Sequence, residues 1–203
     1  RPMMNWVYWV SWMTFRCAYR SLFGCRIIGR EHLVTDGPVL IAANHESFLD
    51  PPLIGSLYND EIDYLARKTL FKGIGGPLLR GCNCIPVDQD HPDMASLKTI
   101  IHRLRDGNRV VVFPEGSRTL DGTIGRAQPG IGLVAVKSGA LIQPVRICGA
   151  RDALPRGSSR LRFARITVTI GPPFRLTAAE SAAKGREDYQ RIADRIMDTV
   201  KAL

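Results

Sequence analysis

No acidic residue occurs before Glu31, although Arg1, Arg16, Arg20, Arg26 and Arg30 all fall in or beside that stretch. Charge of one sign suits an anionic neighbour such as a membrane surface. A bilayer span is excluded here, because the uncharged run at residues 2–15 falls short of the about 20 apolar residues that a helix needs. The small-residue cleavage pattern of a secretory signal peptide is missing as well. Cysteine is scarce and odd in number, with five residues at 17, 25, 82, 84 and 148. Cys82-x-Cys84 has no second pair to complete a zinc site, so no metal is expected. Neighbours on one face of a strand explain that spacing equally well, and reduced thiols in a cytosolic setting are the default. Neither Ser47 nor Ser117 sits in Gly-x-Ser-x-Gly, which removes the nucleophile elbow of the serine hydrolases. The chain has no internal repeats and no low-complexity segment.

What is present is 203 residues, enough for one domain, or one domain with a short appendage, and a proper core. The apolar content of 45% is ordinary, but 28 Lys and Arg against 19 Asp and Glu give a net charge of +9. Arg outnumbers Lys heavily, and Arg is the better phosphate ligand. A basic surface has two usual partners, nucleic acid and anionic membrane, and charge alone does not choose between them.

The aromatic residues do. Trp6, Trp9 and Trp12 lie in residues 1–23 with Tyr8, Phe15, Tyr19 and Phe23, instead of alternating with Arg across a sheet as in many RNA-binding surfaces. Apolar residues lie nearly all round the helical wheel, so the amphipathic pattern is weak. Aromatic composition with flanking Arg nonetheless suits the headgroup layer, the other reading being a core helix. The expectation is a membrane-associating helix at 1–26, with Trp6, Trp9 and Trp12 among headgroups and Arg16 and Arg20 on anionic phosphates. A single domain at 27–203 would follow. The first residue is Arg1 and not Met, which leaves room for residues upstream.

From there strands and helices alternate, the sign of an α/β domain, here expected to hold one central mixed β-sheet flanked by helices. Short apolar runs predict strands at 39–43, 64–66, 83–87, 110–113, 141–147 and 166–170. The first opens after Asp36-Gly37-Pro38 and the last ends at Gly171-Pro172-Pro173. Pro144 implies an edge strand or a strand end. Helical spacing of Met94, Leu97, Ile100, Ile101 and Leu104 predicts a helix from Asp93, closed by Gly107. Pro129-Gly130-Ile131-Gly132 starts a small-residue helix running to Ser138. Thr177 and Glu180 form a capping box, and Tyr189, Ile192, Ile196, Val200 and Leu203 make the apolar stripe of a last helix. Gly73, Gly75, Gly76 and Pro77 break any helix at 70–79. Residues 146–165 hold six arginines and one acid, Asp152, and read as a basic, mobile face.

Two stretches carry chemistry. Asn44-His45-Glu46-Ser47-Phe48-Leu49-Asp50 follows the strand at 39–43, and a strand's carboxyl end is where α/β folds place ligands. His45 and Asp50 are not on one helix face at five residues apart, but they meet if the chain bends. A carboxylate on one imidazole nitrogen fixes the tautomer and leaves the other as a base. Read alone, the pair also fits a helix-capping Asp beside an incidental His. Pro114-Glu115-Gly116-Ser117-Arg118-Thr119 ends the strand at 110–113. Alone, Glu115 and Arg118 fit a surface ion pair; beside the first stretch they suit a substrate with hydroxyl and phosphate groups. His32, His91 and His102 have no carboxylate arranged like Asp50 and read as structural.

Taken in order, His-x4-Asp, Cys84-Ile85-Pro86-Val87-Asp88, Phe113-Pro114-Glu115-Gly116-Ser117-Arg118 and Leu141-Ile142-Gln143-Pro144-Val145 resemble the glycerolipid acyltransferases. The likeness runs from about residue 29 to 174, and the most similar subgroup is the bacterial 1-acylglycerol-3-phosphate acyltransferases. It implies transfer of a fatty acyl group from acyl-CoA or acyl carrier protein to the free hydroxyl of a lysophospholipid acceptor, with no cofactor besides that thioester. His45 would be the general base and Asp50 its orienting partner. Glu115 and Arg118 match the family's acceptor-binding pair, with Arg118 on the phosphate and Glu115 orienting the glycerol or supporting the loop. Arg67 and Lys68 would add phosphate contacts, and Gly116 close backbone access. The implied setting is the cytoplasmic face of the cell membrane, peripheral or monotopic, with an anionic membrane surface as partner and no nucleic acid. One departure stands out: Gln89 follows Asp88 where the family usually has Arg. Gln can hydrogen-bond phosphate but brings no charge. Acylation of another lysophospholipid or acceptor is therefore the alternative, and a basic binding domain without catalysis the remote one.

Overall fold

The computed structural model describes residues 4–73, 75–88 and 94–203. The chain opens with α1 (Trp6–Ser21), β1 (Arg26–Ile28), β2 (Val39–Ala43), α2 (Asp50–Gly55) and β3 (Tyr64–Arg67). It continues with α3 (Gly76–Gly81), β4 (Cys84–Val87), α4 (Met94–Arg105), β5 (Arg109–Val112) and α5 (Pro129–Ser138). Last come β6 (Leu141–Cys148), α6 (Ala150–Ala153), β7 (Thr167–Ile170), α7 (Ala178–Ser181) and α8 (Arg186–Lys201).

Strand β2 is the axis of the molecule. Each of its residues, Val39-Leu40-Ile41-Ala42-Ala43, is 0% exposed, so it is covered on both faces, as a parallel strand between helix layers must be. Successive side chains point to opposite faces. Val39, Ile41 and Ala43 join one apolar layer with Leu53, Ile54, Tyr58 and Val168. Leu40 and Ala42 join the other with Ile101, Leu104, Val134, Ile192 and Ile196. The sheet order is β1-β7-β6-β2-β5, and only the β6–β7 pairing is antiparallel, so the expected mixed central sheet is present. β3 and β4 pair with each other in a separate parallel ribbon, tied to β5 by the Asp63–Val110 bridge.

Several sequence expectations need correction. β6 is the middle strand, despite Pro144. A residue's N and O point to the same side of a strand, and the Pro144 carbonyl accepts from Gly171 N at 3.0 Å on the β7 side. The β6–β7 ladder begins only at Val145↔Ile170, so the missing Pro N–H faces the place where β7 has just ended. β1, unrecognised in the sequence, begins at Arg26 and pairs Arg26↔Thr167, so the boundary expected after residue 26 falls inside the central sheet.

Helix α1 is bound to the domain along one side. Tyr8, Tyr19 and Phe23 are buried in the first apolar layer, and Trp12 and Phe15 pack against it. The Trp12 indole donates to the Tyr58 carbonyl at 2.8 Å, which places Trp12 in the protein and not among headgroups. Arg16 lies over the Trp12 ring and donates to Asn59 at 2.8 Å, so this Arg is held to the protein surface. On the far side of the sheet, α5 and α8 come so close that a Cβ on Gly132 would sit 1.9 Å from the Tyr189 carbonyl. That glycine serves helix packing and not a ligand. The capping box closes as expected, with Thr177 and Glu180 exchanging hydrogen bonds at the start of α7. Asp93, Gln89 and His91 lie outside the described residues.

Candidate active site

The carboxyl ends of β2, β3, β5 and β6 gather at one end of the molecule, and the chemistry-bearing residues follow directly from them. At the end of β2, Asn44 continues the ladder with its side chain. Its amide donates to the Ile147 carbonyl at 2.8 Å and accepts from Ile147 N at 2.7 Å. With the strand end pinned to β6, the chain turns sharply. Asp50, fully buried as the first residue of α2, reaches back with one oxygen, Oδ2, which accepts three hydrogen bonds. The donors are His45 Nδ1 at 2.8 Å, Glu46 N at 2.6 Å and Ser47 N at 2.7 Å. The bend anticipated between His45 and Asp50 is therefore present, and two backbone amides hold the carboxylate in it. A proton on Nδ1 directed to Asp50 leaves Nε2 with its lone pair. The imidazole stacks on Phe113 with centroids 4.0 Å apart, which fixes the ring plane.

Glu115, after β5, spends both oxygens on backbone amides: Oε1 accepts from His45 N at 2.8 Å and Oε2 from Gly125 N at 2.7 Å. It is a strut between the His45 backbone and the 119–127 loop, and no ion pair with Arg118 forms among the described residues. Of the two roles implied for Glu115, loop support matches this geometry. Gly116 holds a φ of 74°, and that left-handed turn, not crowding, is what calls for glycine. It sends Arg118 back over the site, where the guanidinium stacks 3.6 Å above the Phe48 ring. Arg118 Nη1 is buried and has no hydrogen-bond partner. Burial lowers the Arg118 pKa, the cations Arg156 and Arg67 lower it further, and Asp50 opposes them.

These groups stand at the mouth of a cavity of about 670 Å³. His45, Gly116, Arg118, Arg67 and Arg156 line its polar part, and Lys68 follows Arg67 outside the lining. The remainder is apolar, bounded by Trp12 and Phe15 of α1, Leu78 and Leu79 of α3, and Tyr64 and Leu65 of β3. Tyr8 joins its hydroxyl to that of Tyr64 at 2.9 Å, and burial raises its pKa to about 12, so both phenols are neutral wall. Cys82 and Cys84 line the same part, and burial pushes the Cys84 thiol up to about 12, which leaves it unreactive. Ser47 is 0% exposed and donates to the Leu154 carbonyl at 2.8 Å, so it is unavailable as a nucleophile.

Three residues of the site were not singled out in the sequence. Phe48 and Phe113 are the aromatic seats of Arg118 and His45. Arg156, part of the run read as a mobile basic face, lines the cavity and donates to the Arg118 carbonyl at 2.9 Å. Position gave a signal for Phe113, the last apolar residue before the Pro114 turn. Nothing local distinguished Arg156 from its neighbouring arginines.

The fold and site define a class: an α/β domain that mounts an oriented His–Asp pair between guanidinium groups and an apolar cavity. The chain belongs to the acyltransferase family, whose model matches residues 24–148. A 1-acyl-sn-glycerol-3-phosphate acyltransferase of Bacillus subtilis strain 168 is 34% identical over 98 residues, covering 47% of this chain and 49% of that protein. The chloroplastic LPAT1 1-acyl-sn-glycerol-3-phosphate acyltransferase of Arabidopsis thaliana is 30% identical over 76% of this chain and 44% of its own length. The chain spans about half the length of these curated relatives. In three dimensions it is similar to the crystal structure of the 1-acyl-sn-glycerophosphate (LPA) acyltransferase PlsC from Thermotoga maritima. That match has a TM-score of 0.76 at 23% identity, covering 97% of this chain and 79% of the other, and it shows a shared fold.

Proposed function

We propose that this protein moves a fatty acyl group from a thioester to the free hydroxyl of 1-acylglycerol-3-phosphate, giving phosphatidic acid for phospholipid synthesis. The observation that carries the reading is the His45–Asp50 pair at the junction of a cationic mouth and an apolar cavity. An alcohol is a poor nucleophile at neutral pH, so its proton must leave as it attacks. His45 Nε2 takes that proton, and the Asp50 carboxylate stabilises the imidazolium that forms, a role worth roughly 10²–10⁴-fold in rate. The alkoxide oxygen bonds to the thioester carbonyl carbon, the tetrahedral adduct collapses, and the thiolate leaves with a proton returned by His45. A thioester has a good leaving group, so direct transfer needs no acyl-enzyme, in keeping with the burial of Ser47. Arg118 receives the acceptor phosphate, with Arg67 beside it in the cavity lining and Lys68 next in sequence, and the apolar cavity takes the acyl chain.

The donor is acyl-CoA or acyl carrier protein, and the setting is the cytoplasmic face of a membrane. No helix among the described residues is long and apolar enough to cross one. Support for peripheral contact comes from the outer face of α1, where Trp6 is 75% and Trp9 49% exposed.

The test is a donor-by-acceptor matrix with purified protein in detergent, read by mass spectrometry. Phosphatidic acid from lysophosphatidic acid and an acyl thioester is the expected product. Preference for a lysophospholipid without a terminal phosphate would move the reading to the alternative acceptor, and no acyl transfer to any acceptor would overturn it.

A further inference from the structure

The segment after β6 leaves the sheet at Gly149, whose φ of 88° is left-handed and whose Cβ would lie 2.3 Å from the Arg165 carbonyl. Two residues of the His45 motif then grip it. Glu46 Oε2 accepts from Arg151 N at 3.2 Å, and Ser47 Oγ donates to the Leu154 carbonyl at 2.8 Å. Arg162 N donates to the Ala153 carbonyl at 2.8 Å and ties the returning strand of the loop to the same short helix, α6. The outcome of these bonds is the placement of Arg156, whose Nη1 donates to the Arg118 carbonyl while its side chain lines the cavity mouth.

Like charges are thereby held together. Arg156 and Arg67 both lie near enough to Arg118 to depress its pKa, beneath the larger effect of burial. Among the described residues, three carboxylates near the site, Glu115, Glu46 and Asp50, form no ion pair with Arg118 or Arg156. Glu115 is taken by two backbone amides, Glu46 by the α6 amide, and Asp50 Oδ2 by His45 and the amides after it, while Asp50 Oδ1 is buried and bonds to no arginine. A buried Arg118 Nη1 without a partner lies in the same cluster. Guanidinium groups facing one opening with a spare buried donor are arranged for an anion, and a phosphomonoester near two negative charges calls for more than one of them.

We propose that Arg156 is a second anion-binding side chain of the acceptor site, carried there by a loop that Glu46 and Ser47 lock to the His45 motif. The inference rests on the acceptor reading above, and it goes further in giving the phosphate two arginines from different loops. It also gives Glu46 a purpose: it acts through Arg156, as a positioning residue. A phosphate could belong to the acceptor headgroup or to the nucleotide end of a CoA donor, and the proposal assigns Arg156 to the acceptor.

The experiment combines equilibrium binding with steady-state kinetics on the full chain. Binding of glycerol 3-phosphate, the bare headgroup, is measured by titration calorimetry for wild type, Arg156→Gln and Arg156→Lys. Kinetics use lysophosphatidic acid with acyl-CoA and with acyl carrier protein as donors. Arg156→Gln should weaken glycerol 3-phosphate binding and raise the acceptor KM by about five- to tenfold, as loss of a charge-assisted hydrogen bond at a partly exposed site does. Its kcat and both donor KM values should stay within about twofold, and Arg156→Lys should recover part of the loss. Glu46→Ala should raise the acceptor KM in the same direction and add little on top of Arg156→Gln, because both act at one point. Fully multiplicative effects would overturn the positioning role. A raised KM for acyl-CoA alone would assign Arg156 to the donor and overturn the proposal. So would unchanged headgroup binding in Arg156→Gln, or no binding by wild type. Wild-type binding that is lost in Arg156→Gln, without acylation of lysophosphatidic acid, would instead overturn acyl transfer and leave the anion site standing.

Discussion

Around His45 the polar groups are nearly all partnered within the protein, whereas the outer face of α1 carries apolar side chains with no partner. At the first place Asp50 Oδ2, Glu115, Ser47 and Asn44 each bind backbone, and two buried atoms of the site are left without a partner, Asp50 Oδ1 and Arg118 Nη1. At the second, Trp6, Trp9, Val10 and Met13 follow the i, i+3, i+4, i+7 spacing of a helix face, yet are 75%, 49%, 46% and 38% exposed. Tyr8, Trp12, Phe15 and Tyr19 form the opposite stripe, which packs inward. An unmet donor calls for an anion, and an unmet apolar stripe for an apolar phase. Tyr19 joins the regions: its hydroxyl donates to the Leu49 carbonyl at 2.7 Å, next to Asp50. The helix that carries the exposed apolar stripe is thus bolted, by its inward side, to the loop that holds the base.

The largest break in this comparison should come from Asp50→Asn. The amide cannot serve as a carboxylate toward Nδ1 and two amides at once, so His45 loses its tautomer, and kcat should fall about 10³–10⁴-fold. Steady-state turnover beside a thermal melt separates this from unfolding. Next, Arg118→Lys removes the fork that stacks on Phe48 and should raise the acceptor KM about tenfold with little change in donor KM. Equal effects on both substrates would take Arg118 out of the acceptor site. On the α1 side, Trp6→Ser with Trp9→Ser should lower binding to anionic vesicles at least about tenfold at high salt, where charge attraction is screened. Co-sedimentation across a salt series reads this, and identical binding would return α1 to a purely structural role. The smallest effect concerns Glu46, whose pKa burial raises above its ordinary 4.5, with Arg151 N opposing and Asp50 adding to the rise. The folded state then keeps this proton to higher pH than the unfolded chain. Stability from that proton is complete below pH 4.5 and is lost as pH rises through the folded pKa. Glu46→Gln should therefore melt above wild type at pH 7, the difference closing below pH 4.5.

Much of this was legible in the chain, where local pattern and tertiary need agree. Val39–Ala43 is apolar throughout because it is covered on both faces, and the turn after it placed His45 at a strand's carboxyl end. The approach of Asp50 could be posed as a bend but not fixed, since two backbone amides decide it. Pro144 misled because strand position depends on where the neighbouring strand stops. β1 is three residues with only Ile27 facing the core, too short for a periodic signal. Trp12 could not be told from Trp6 and Trp9, because α1 is apolar on two faces and only packing assigns them. Arg156 was hidden for a similar reason: six arginines share its segment, and one is selected by grips from Glu46 and Ser47, over 100 residues away in sequence.

Acyl transfer by the proposed route depends on His45 as the base that takes the acceptor's proton. The direct measurement is turnover of acyl thioester and lysophosphatidic acid by purified His45→Ala, beside wild type and with a thermal melt on the same samples. The prediction is loss of phosphatidic acid formation to background with the fold and headgroup binding retained. Turnover near wild type in a folded His45→Ala protein would contradict it.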